Sequence, residues 1–349
     1  MASSQALQNS PILVHIISLL LPLLAFAFMV LRAQAAALLR WKSTMRGNST
    51  ALSSWSSDIP PCNWTGITCG DLSHAPRTFV INRISLRGAG IVGRLDTLDL
   101  LSLPYITSLD LSSNTISGPI PPTIGSLQAL SILDLSSCHL EGSIPSTVSN
   151  LTMLRGMYLY NNLLSGPIPE ELGILPLLVH LDISSNKLTG TIPPNIANLT
   201  SLSYLVLSYN NLTGSIPKEI GRLEQLVSFD VSHNLLTGFI PSTIANMTGL
   251  QTLMLQVNSL GDTILDNVKH LLNLQVLNIH HNEFSGSIPS SLGNLSNLVQ
   301  LNLGYNNFTG LIPPSIGHLS NLFFLSTASN PLHGTIPLEL GNLTNLQYI

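Results

Sequence analysis

The chain has 349 residues, of which 9% are charged, and its formal net charge at pH 7 is −4. Such a sequence has no basic patch for nucleic acid and no run of like charges that would indicate a disordered acidic tail. Because charged residues are scarce, Asn, Ser and Thr must supply most of the polar surface.

Residues 1–35 are predicted to be a secretory signal peptide. An apolar run from Ile12 to Leu31 precedes Ala33-Gln34-Ala35, a small-x-small cleavage pattern. Two features depart from that pattern, since no Lys or Arg precedes the run and the run is long. An uncleaved membrane anchor is the alternative, because about 20 apolar residues can span a bilayer.

Residues 36–75 are predicted to form an N-terminal cap. The segment from Ala36 to Met45 has helix-forming composition, and all three tryptophans of the chain lie in the cap, at Trp41, Trp55 and Trp64. Large aromatic side chains can cover the open hydrophobic end of a repeat array. Cys62 and Cys69 are predicted to form a disulfide, whereas a metal site is disfavoured because no second Cys or His pair accompanies them.

Residues 76–349 are predicted to be a solenoid, because asparagine recurs in them with a period of 24 residues. The Asn amide can donate and accept, so these side chains are expected to form a hydrogen-bonded ladder along the stacked coils. The predicted ladder residues are Asn114, Asn162, Asn186, Asn210, Asn234, Asn258, Asn282, Asn306 and Asn330, with Cys138 in the remaining slot.

Within one repeat, each position has a distinct physical role. Leu181 and Ile183 alternate along a short strand and are expected to enter the core. Gly190 permits a backbone conformation that a side chain would disfavour, and Pro193 fixes φ where the next segment begins. One coil has Asp262 and Leu265 in place of Gly and Pro, so a local bulge is possible there.

The repeat resembles the plant-specific leucine-rich repeat, L-x-x-L-x-L-x-x-N-x-L-x-G-x-I-P. The cap resembles the plant leucine-rich-repeat N-terminal domain, through Ala37-Leu38-Leu39-Arg40-Trp41-Lys42 and the segment from Pro61 to Cys69. This resemblance implies an α/β-type solenoid. It would be a right-handed superhelix of about eleven repeats, with a concave parallel β-sheet and short helical or extended convex segments.

Within this family the chain is similar to the ectodomain of a leucine-rich-repeat receptor-like kinase of the plant plasma membrane. The resemblance implies a signalling receptor that binds an extracellular peptide or protein on its concave face and recruits a leucine-rich-repeat co-receptor. The kinase motifs V-A-I-K, H-R-D and D-F-G do not occur. We therefore expect a chain truncated before its membrane span and kinase, with no enzymatic activity, no cofactor and no nucleic-acid partner.

The expected location is the extracellular face of the plasma membrane, or the cell wall if the truncation is real. The alternative function is a free secreted inhibitor of a pathogen enzyme, similar to the polygalacturonase-inhibiting proteins. Those proteins resemble a cysteine-rich design with caps at both ends, which this sequence lacks. A third class of function, a Ser/Thr kinase, is implied only by the family resemblance and by no residue of this sequence.

N-glycosylation is predicted at nine N-x-S/T sequons. They begin at Asn48, Asn63, Asn150, Asn198, Asn211, Asn246, Asn294, Asn307 and Asn342. Five of them (Asn150, Asn198, Asn246, Asn294, Asn342) are 48 residues apart and should recur on one flank of alternate coils. A favoured Asn-Leu-Thr/Ser variant of the repeat would give the same spacing without a glycan.

The ligand-binding residues are predicted at outward strand positions of the concave face, two, four and six residues before each ladder residue, and at the adjoining strand edge. Aspartates recur there and look generic, whereas the irregular occupants, especially tyrosine, suit a binding surface. The predicted set is Tyr158, Tyr160, His180, Asp182, Tyr204, Val206, Tyr209, Asp230, Met254, Gln256, Asn278 and His280. Alternatively, these tyrosines only cover the surface between coils.

Adjacent His280 and His281 would diverge in a strand, so no metal site is expected.

Overall fold

A computed structural model describes residues 29–47, 49–71, 79–261 and 265–349 of the chain. Most of the expected signal peptide, the sequon Asn48, the substituted position Asp262 and the side chain of Leu265 lie outside the described residues. In the described ranges, no helix combines the length and apolar character that crossing a membrane would require.

The repeats stack through a main sheet of twelve short strands. In each three-residue strand the central side chain is buried and its neighbours lie on the opposite face of the sheet, as in the strand His180–Asp182, where Leu181 has no exposed surface. The first two strands are antiparallel and the rest are parallel, so that Leu181 pairs with Leu205 of the next coil. The strands, in spatial order, are β1 (Ile67–Asp71), β2 (Phe79–Ser85), β4 (Ser108–Asp110), β6 (Ile132–Asp134), β8 (Gly156–Tyr158), β10 (His180–Asp182), β12 (Tyr204–Val206), β14 (Ser228–Asp230), β16 (Thr252–Met254), β18 (Val276–Asn278), β20 (Gln300–Asn302) and β22 (Phe324–Ser326).

A second sheet follows the turn at each ladder residue, and the sequence patterns had not predicted it. It contains β3 (Val92–Arg94), β5 (Thr115–Pro119), β7 (His139–Gly142), β9 (Leu163–Pro167), β11 (Lys187–Gly190), β13 (Asn211–Gly214), β15 (Leu235–Gly238) and β17 (Ser259–Leu260). A separate pair is formed by β19 (Ser285–Ser287) and β21 (Asn307–Thr309). The interruption between β17 and β19 falls in the coil where Gly and Pro of the repeat are replaced. In the other coils, Gly190 and its equivalents adopt φ of about 80°, a conformation that favours glycine.

Short 3-10 helices complete the coils on the side opposite the main sheet. Most begin directly after a proline, for example Pro193 with φ of −65°, and their buried side chains close the core. The described 3-10 helices are η1 (Thr50–Leu52), η2 (Pro61–Asn63), η3 (Leu95–Thr97), η4 (Leu100–Ser102), η5 (Pro122–Ser126), η6 (Ser146–Asn150), η7 (Glu170–Ile174), η8 (Pro194–Asn198), η9 (Lys218–Arg222), η10 (Ser242–Asn246), η11 (Leu265–His270), η12 (Ser290–Asn294), η13 (Pro314–His318) and η14 (Leu338–Asn342).

The cap covers the first coil with aromatic side chains. Trp41, Trp55 and Trp64 are at most 3% exposed, and the Trp41 indole N–H donates to the carbonyl of Arg94 at 3.0 Å. Cys62 and Cys69 form the predicted disulfide, with their Cα atoms 5.4 Å apart. The cap helix α1 extends over residues 29–44, so the folded cap begins upstream of residue 36. Gln34, inside the expected signal peptide, is fully buried.

Candidate functional site

The asparagine ladder fixes the spacing of the main sheet. The Asn162 amide donates to the carbonyl of Leu135 in the preceding coil at 2.9 Å and to that of Leu159 in its own coil at 3.0 Å. Its oxygen accepts from the Leu140 N–H at 3.0 Å. The same pattern recurs at Asn114, Asn186, Asn210, Asn234, Asn258, Asn282, Asn306 and Asn330. Buried Cys138 instead makes one weak bond, from Sγ to the Leu111 carbonyl at 3.4 Å.

Several polar side chains of the predicted binding set accept hydrogen bonds from residues just beyond the end of their own strand. The Asp182 carboxylate accepts from both the N–H and the hydroxyl of Ser184, at 3.0 and 2.6 Å. Asp230 accepts from the Ser232 N–H at 2.9 Å. Asn278 is only 8% exposed and accepts from the N–H of His280. These side chains therefore stabilise the ends of the strands, and burial raises the pKa of Asp182.

Three predicted residues on successive coils form an aromatic run, Tyr158, His180 and Tyr204. The rings of His180 and Tyr204 stack with centroids 4.5 Å apart and planes 6° apart, and the centroids of Tyr158 and His180 lie 6.1 Å apart. Gly156 leaves room for the Tyr158 ring, because a Cβ at that position would lie 2.9 Å from it. Tyr204 is 40% exposed. The run is a patch of rings accessible from the concave side.

The aromatic run is electrically neutral near pH 7. Burial raises the pKa of the Tyr158 phenol, and the carboxylates of Asp134 and Asp182 contribute in the same direction. Burial lowers the pKa of His180, so its imidazole is uncharged at neutral pH. No Lys or Arg occupies the outward positions between β6 and β22, all of which the structure describes. This part of the face thus offers hydrogen bonds and ring contacts but no permanent cation.

One further column of residues adjoins the face, one position before each ladder residue. All ten of its members have φ between 51° and 57°. Five coils carry a short polar residue there (Ser113, Ser137, Asn161, Ser185, Ser329), whereas five successive coils carry Tyr209, His233, Val257, His281 and Tyr305. We call these last five residues the ledge. Tyr209 stacks on His233 at 4.0 Å, and His281 stacks on Tyr305 at 4.3 Å.

Only Tyr209 of the ledge was in the predicted binding set. Aligning the repeats one residue before each Asn would have revealed the column, because the change from Ser or Asn to larger residues is visible in the sequence.

The expectation that His280 and His281 diverge was wrong. His281 has left the strand conformation, and the two ring centroids lie 5.1 Å apart in an edge arrangement. The described residues contain no group of three or more side chains able to hold a metal ion.

The remaining predicted residues lie on the same face but in separate coils. Val206 pairs with Asp182 and Asp230 on the neighbouring strands, and Met254 pairs with Asp230 and Asn278. Tyr160, Gln256 and His280 lie just beyond their strands and are half-buried. The structure therefore places the predicted set along an extended surface and does not gather it into one pocket.

The sequons lie on other surfaces. Five of the asparagines (Asn150, Asn198, Asn246, Asn294, Asn342) are the last residues of η6, η8, η10, η12 and η14, and all five are exposed. Asn211 and Asn307 begin β13 and β21 of the second sheet, and Asn63 ends η2 in the cap; these three are also exposed. Glycans on the five asparagines that end 3-10 helices would therefore leave the outward side of the main sheet open, whereas Asn211 and Asn307 lie two residues after Tyr209 and Tyr305 of the ledge.

Comparisons with known proteins agree with this architecture. Residues 31–70 match the family described as "Leucine rich repeat N-terminal domain". Residues 105–127, 129–151, 176–236, 200–260 and 273–332 match families described as leucine rich repeat. The receptor-like kinases RGI3 and RGI4 of Arabidopsis thaliana are 40% and 38% identical over 98 residues, which is 28% of this chain and 8% of each relative.

Solved structures resemble the chain over a much longer stretch. The structure of PEPR1 with AtPEP1 has a TM-score of 0.83 and 34% identity, and covers 91% of this chain and 44% of that one. The Arabidopsis receptor kinase HAESA, solved with the peptide hormone IDA and the co-receptor SERK1, has a TM-score of 0.72 and 32% identity, with 90% and 56% covered. A plant ice-binding protein has a TM-score of 0.65 and 29% identity, with 88% and 89% covered.

The capped, stacked coils and the asparagine ladder define a leucine-rich-repeat solenoid. The chain belongs to the leucine-rich-repeat proteins and is homologous to the plant leucine-rich-repeat receptor-like kinases. It spans less than half the length of the PEPR1 chain, and its alignments cover less than a tenth of RGI3 and RGI4.

Proposed function

We propose that this chain is the extracellular ligand-recognition part of a plant cell-surface leucine-rich-repeat receptor, either a receptor-like kinase or a receptor-like protein. It binds a peptide or protein on its concave face. The observation that carries this proposal is the aromatic run of Tyr158, His180 and Tyr204, in which His180 stacks on Tyr204, Tyr158 lies tilted beside His180, and the rings are partly exposed. The similarity to PEPR1 and HAESA, whose structures include AtPEP1 and IDA, supports it.

Side chains must supply the polar contacts of such a site. Each inner strand of the main sheet pairs with a neighbour on both sides, so its backbone groups are already bonded. An extended ligand therefore lies across the strands, and its main chain bonds to side chains such as the tyrosine hydroxyls. Tyrosine gives a large contact area at little cost in rotamer entropy, which suits an anchor residue.

Entry into the secretory pathway is part of the proposal. The apolar N-terminal segment, the disulfide and the exposed sequons all fit an oxidising, extracellular destination. Glycans on the η6 to η14 flank would shield that side and direct partners to the concave face or the opposite flank. A leucine-rich-repeat co-receptor would then approach from an unshielded side, as the presence of SERK1 with HAESA suggests by analogy.

The proposal is tested with a phage-displayed library of random twelve-residue peptides, selected on the secreted chain. Enriched peptides are synthesised and titrated against the parent chain and the double variant Tyr158→Ala/Tyr160→Ala. We expect at least about tenfold weaker binding to the double variant, equal to about 1.4 kcal/mol, without loss of folding. Phe239→Ala is the matched control, because Phe239 is an aromatic residue 59% exposed outside the main sheet. Failure to enrich any peptide, or equal binding to the double variant, would refute the proposed site.

A further inference from the structure

The ledge carries large side chains on a left-handed backbone conformation that is energetically unfavourable for most of them. Left-handed φ values are tolerated best by Asn, Asp and His, whereas β-branched and bulky residues rarely adopt them. Val257 has φ of 56°, and Tyr209 and Tyr305 both have φ of 54°. The other five coils satisfy the same backbone requirement with Ser or Asn. Three residues that are unfavourable at such φ values, Tyr209, Val257 and Tyr305, within five successive coils point to a role beyond folding.

Stacking of the coils imposes this conformation on the ledge. The Val257 N–H donates to the His280 carbonyl of the next coil at 2.9 Å, and the Tyr209 N–H donates to the Ser232 carbonyl at 3.0 Å. The backbone is fixed in this way, and ring stacking orders four of the five side chains without a ligand, Tyr209 on His233 and His281 on Tyr305. Tyr209 and Tyr305, at the two ends of the ledge, are 55% and 53% exposed.

Unsatisfied polar atoms lie directly beside the middle of the ledge. Gln256 precedes Val257 and His280 precedes His281, and both of these preceding side chains are half-buried. The Gln256 Oε1 and the His280 Nδ1 atoms are buried and have no hydrogen-bond partner. Elsewhere in the described chain, only Asn82 Oδ1 shares this condition. A buried acceptor without a donor is unfavourable, and rotation of the half-buried Gln256 side chain toward the surface would let its Oε1 accept a hydrogen bond from a ligand.

Geometry and charge define what fits the ledge. Adjacent strands lie about 4.8 Å apart, so the four steps from Tyr209 to Tyr305 span about 19 Å, which an extended peptide covers with about six residues. Along the ledge and the outward positions of β12 to β20, the only charged side chain is Asp230, which already accepts from Ser232. Burial lowers the pKa of His233 and of His280, so both are neutral near pH 7.

We infer that the ledge is a second ligand-contacting region of the receptor face. It receives an uncharged, extended segment of about six residues of a peptide ligand, whose central hydrogen-bond donor pairs with Gln256. The rings of Tyr209 and Tyr305 contact the two ends of that segment. This inference rests on the proposed peptide-binding function and adds the location and chemistry of a contact that the aromatic run does not supply.

The test uses the peptides enriched from the random twelve-residue library, titrated against three variants. Tyr209→Asn/Tyr305→Asn installs the residue that Asn161 provides in the same column, and we expect about tenfold or weaker binding with a Tm that is not lowered. Gln256→Met removes the unsatisfied acceptor while keeping the side-chain length, so its Tm should rise while binding weakens. Ser185→Asn lies in the column just outside the ledge and should leave the affinity unchanged with a Tm that is not lowered.

The contrary outcomes separate this inference from the function on which it rests. Peptides that lose affinity for Tyr158→Ala/Tyr160→Ala but bind both ledge variants as tightly as the parent would overturn the ledge site alone. A lowered Tm with unchanged affinity in Tyr209→Asn/Tyr305→Asn would show that the rings only stabilise the stack, and would also overturn it. Failure to enrich any concave-face peptide would remove the receptor proposal and the ledge together.

Discussion

The Gln34 side chain hydrogen-bonds both backbone groups of Ile81. Its Nε2 donates to the Ile81 carbonyl at 2.9 Å, and its Oε1 accepts from the Ile81 N–H at 2.8 Å. Gln34 has no exposed surface, and Ile81 lies in β2, which pairs directly with the first parallel strand of the repeats. A residue inside the expected signal peptide thus ties the cap helix to the solenoid.

We therefore predict that the secreted chain retains Gln34, with signal cleavage upstream of the sequence-predicted position after Ala35. Removal of Gln34 would leave two buried backbone groups of Ile81 without partners, at about 1–3 kcal/mol each. Ala25-Phe26-Ala27 offers another small-x-small pattern further upstream. N-terminal sequencing of the secreted protein decides between them, and a chain that begins at Ala36 would contradict the prediction. As a check on the contact itself, Gln34→Leu should lower the Tm.

Replacing the one irregular rung of the ladder should stabilise the chain. Cys138 makes a single weak bond, whereas an Asn there can donate to the Leu111 carbonyl and accept from a backbone N–H of the preceding coil. We expect Cys138→Asn to raise the free energy of unfolding by about 1 kcal/mol. Urea denaturation measures this, and Asn186→Cys is the matched reverse exchange, expected to lose at least as much. A destabilised Cys138→Asn would show that the rung is specific to sulfur.

The spacing of the ladder asparagines was sufficient to predict stacked coils, and the alternation of Leu181 and Ile183 predicted core positions, because each position faces the same surroundings in every coil. The parallel main sheet was expected from the resemblance to the plant leucine-rich repeat. The second sheet was not predictable from local pattern, since Gly190 and its neighbours pair only when the stack brings them side by side. The partner of Gln34 lies 47 residues away, so the sequence around it indicated only a cleavage motif. His281 was interpreted by strand periodicity, and the left-handed turn that brings it to Tyr305 arises from stacking.

Gly221, inside a 3-10 helix, is packed closely against the following coil, whereas Ala197 and Ser149 occupy the equivalent position of other coils. A Cβ on Gly221 would overlap the carbonyl oxygen of Thr243 in the following coil, whereas a Cβ on Gly341 meets no atom within 4 Å. We expect Gly221→Ala to destabilise the chain by about 1–3 kcal/mol through overpacking. Gly341→Ala, at the same position of its repeat, should be neutral or slightly stabilising. Thermal unfolding of both variants compares them, and equal Tm values would contradict the close packing.

The five alternate-coil sequons are expected to carry N-glycans. Asn150, Asn198, Asn246 and Asn294 are exposed at the ends of their 3-10 helices, as is Asn342. Peptide mapping after enzymatic deglycosylation in heavy-oxygen water identifies each occupied site by its mass. Asn198→Gln should remove one glycan without changing peptide affinity, because that flank lies apart from the main sheet. Five unoccupied sites would instead favour a repeat variant selected for packing alone.

Acidification should destabilise the chain through its partly buried histidines. Burial lowers the pKa values of His180, His233 and His280, so the unfolded chain, with histidine pKa values near 6.5, binds protons that the folded chain does not. The contribution of these histidines to the free energy of unfolding is therefore present above about pH 6.5, and it is lost as the pH falls through their lowered folded-state pKa values. Asp182 acts in the opposite direction. Because its pKa is raised in the folded chain, its contribution to the free energy of unfolding is lost as the pH rises above about 3.8, so it cannot cause a loss of stability on acidification near pH 6. We expect a lower Tm at about pH 5.5 than at pH 7.5, and a smaller difference in the triple variant His180→Gln/His233→Gln/His280→Gln. A Tm that rises on acidification over this range would show that other groups control the stability.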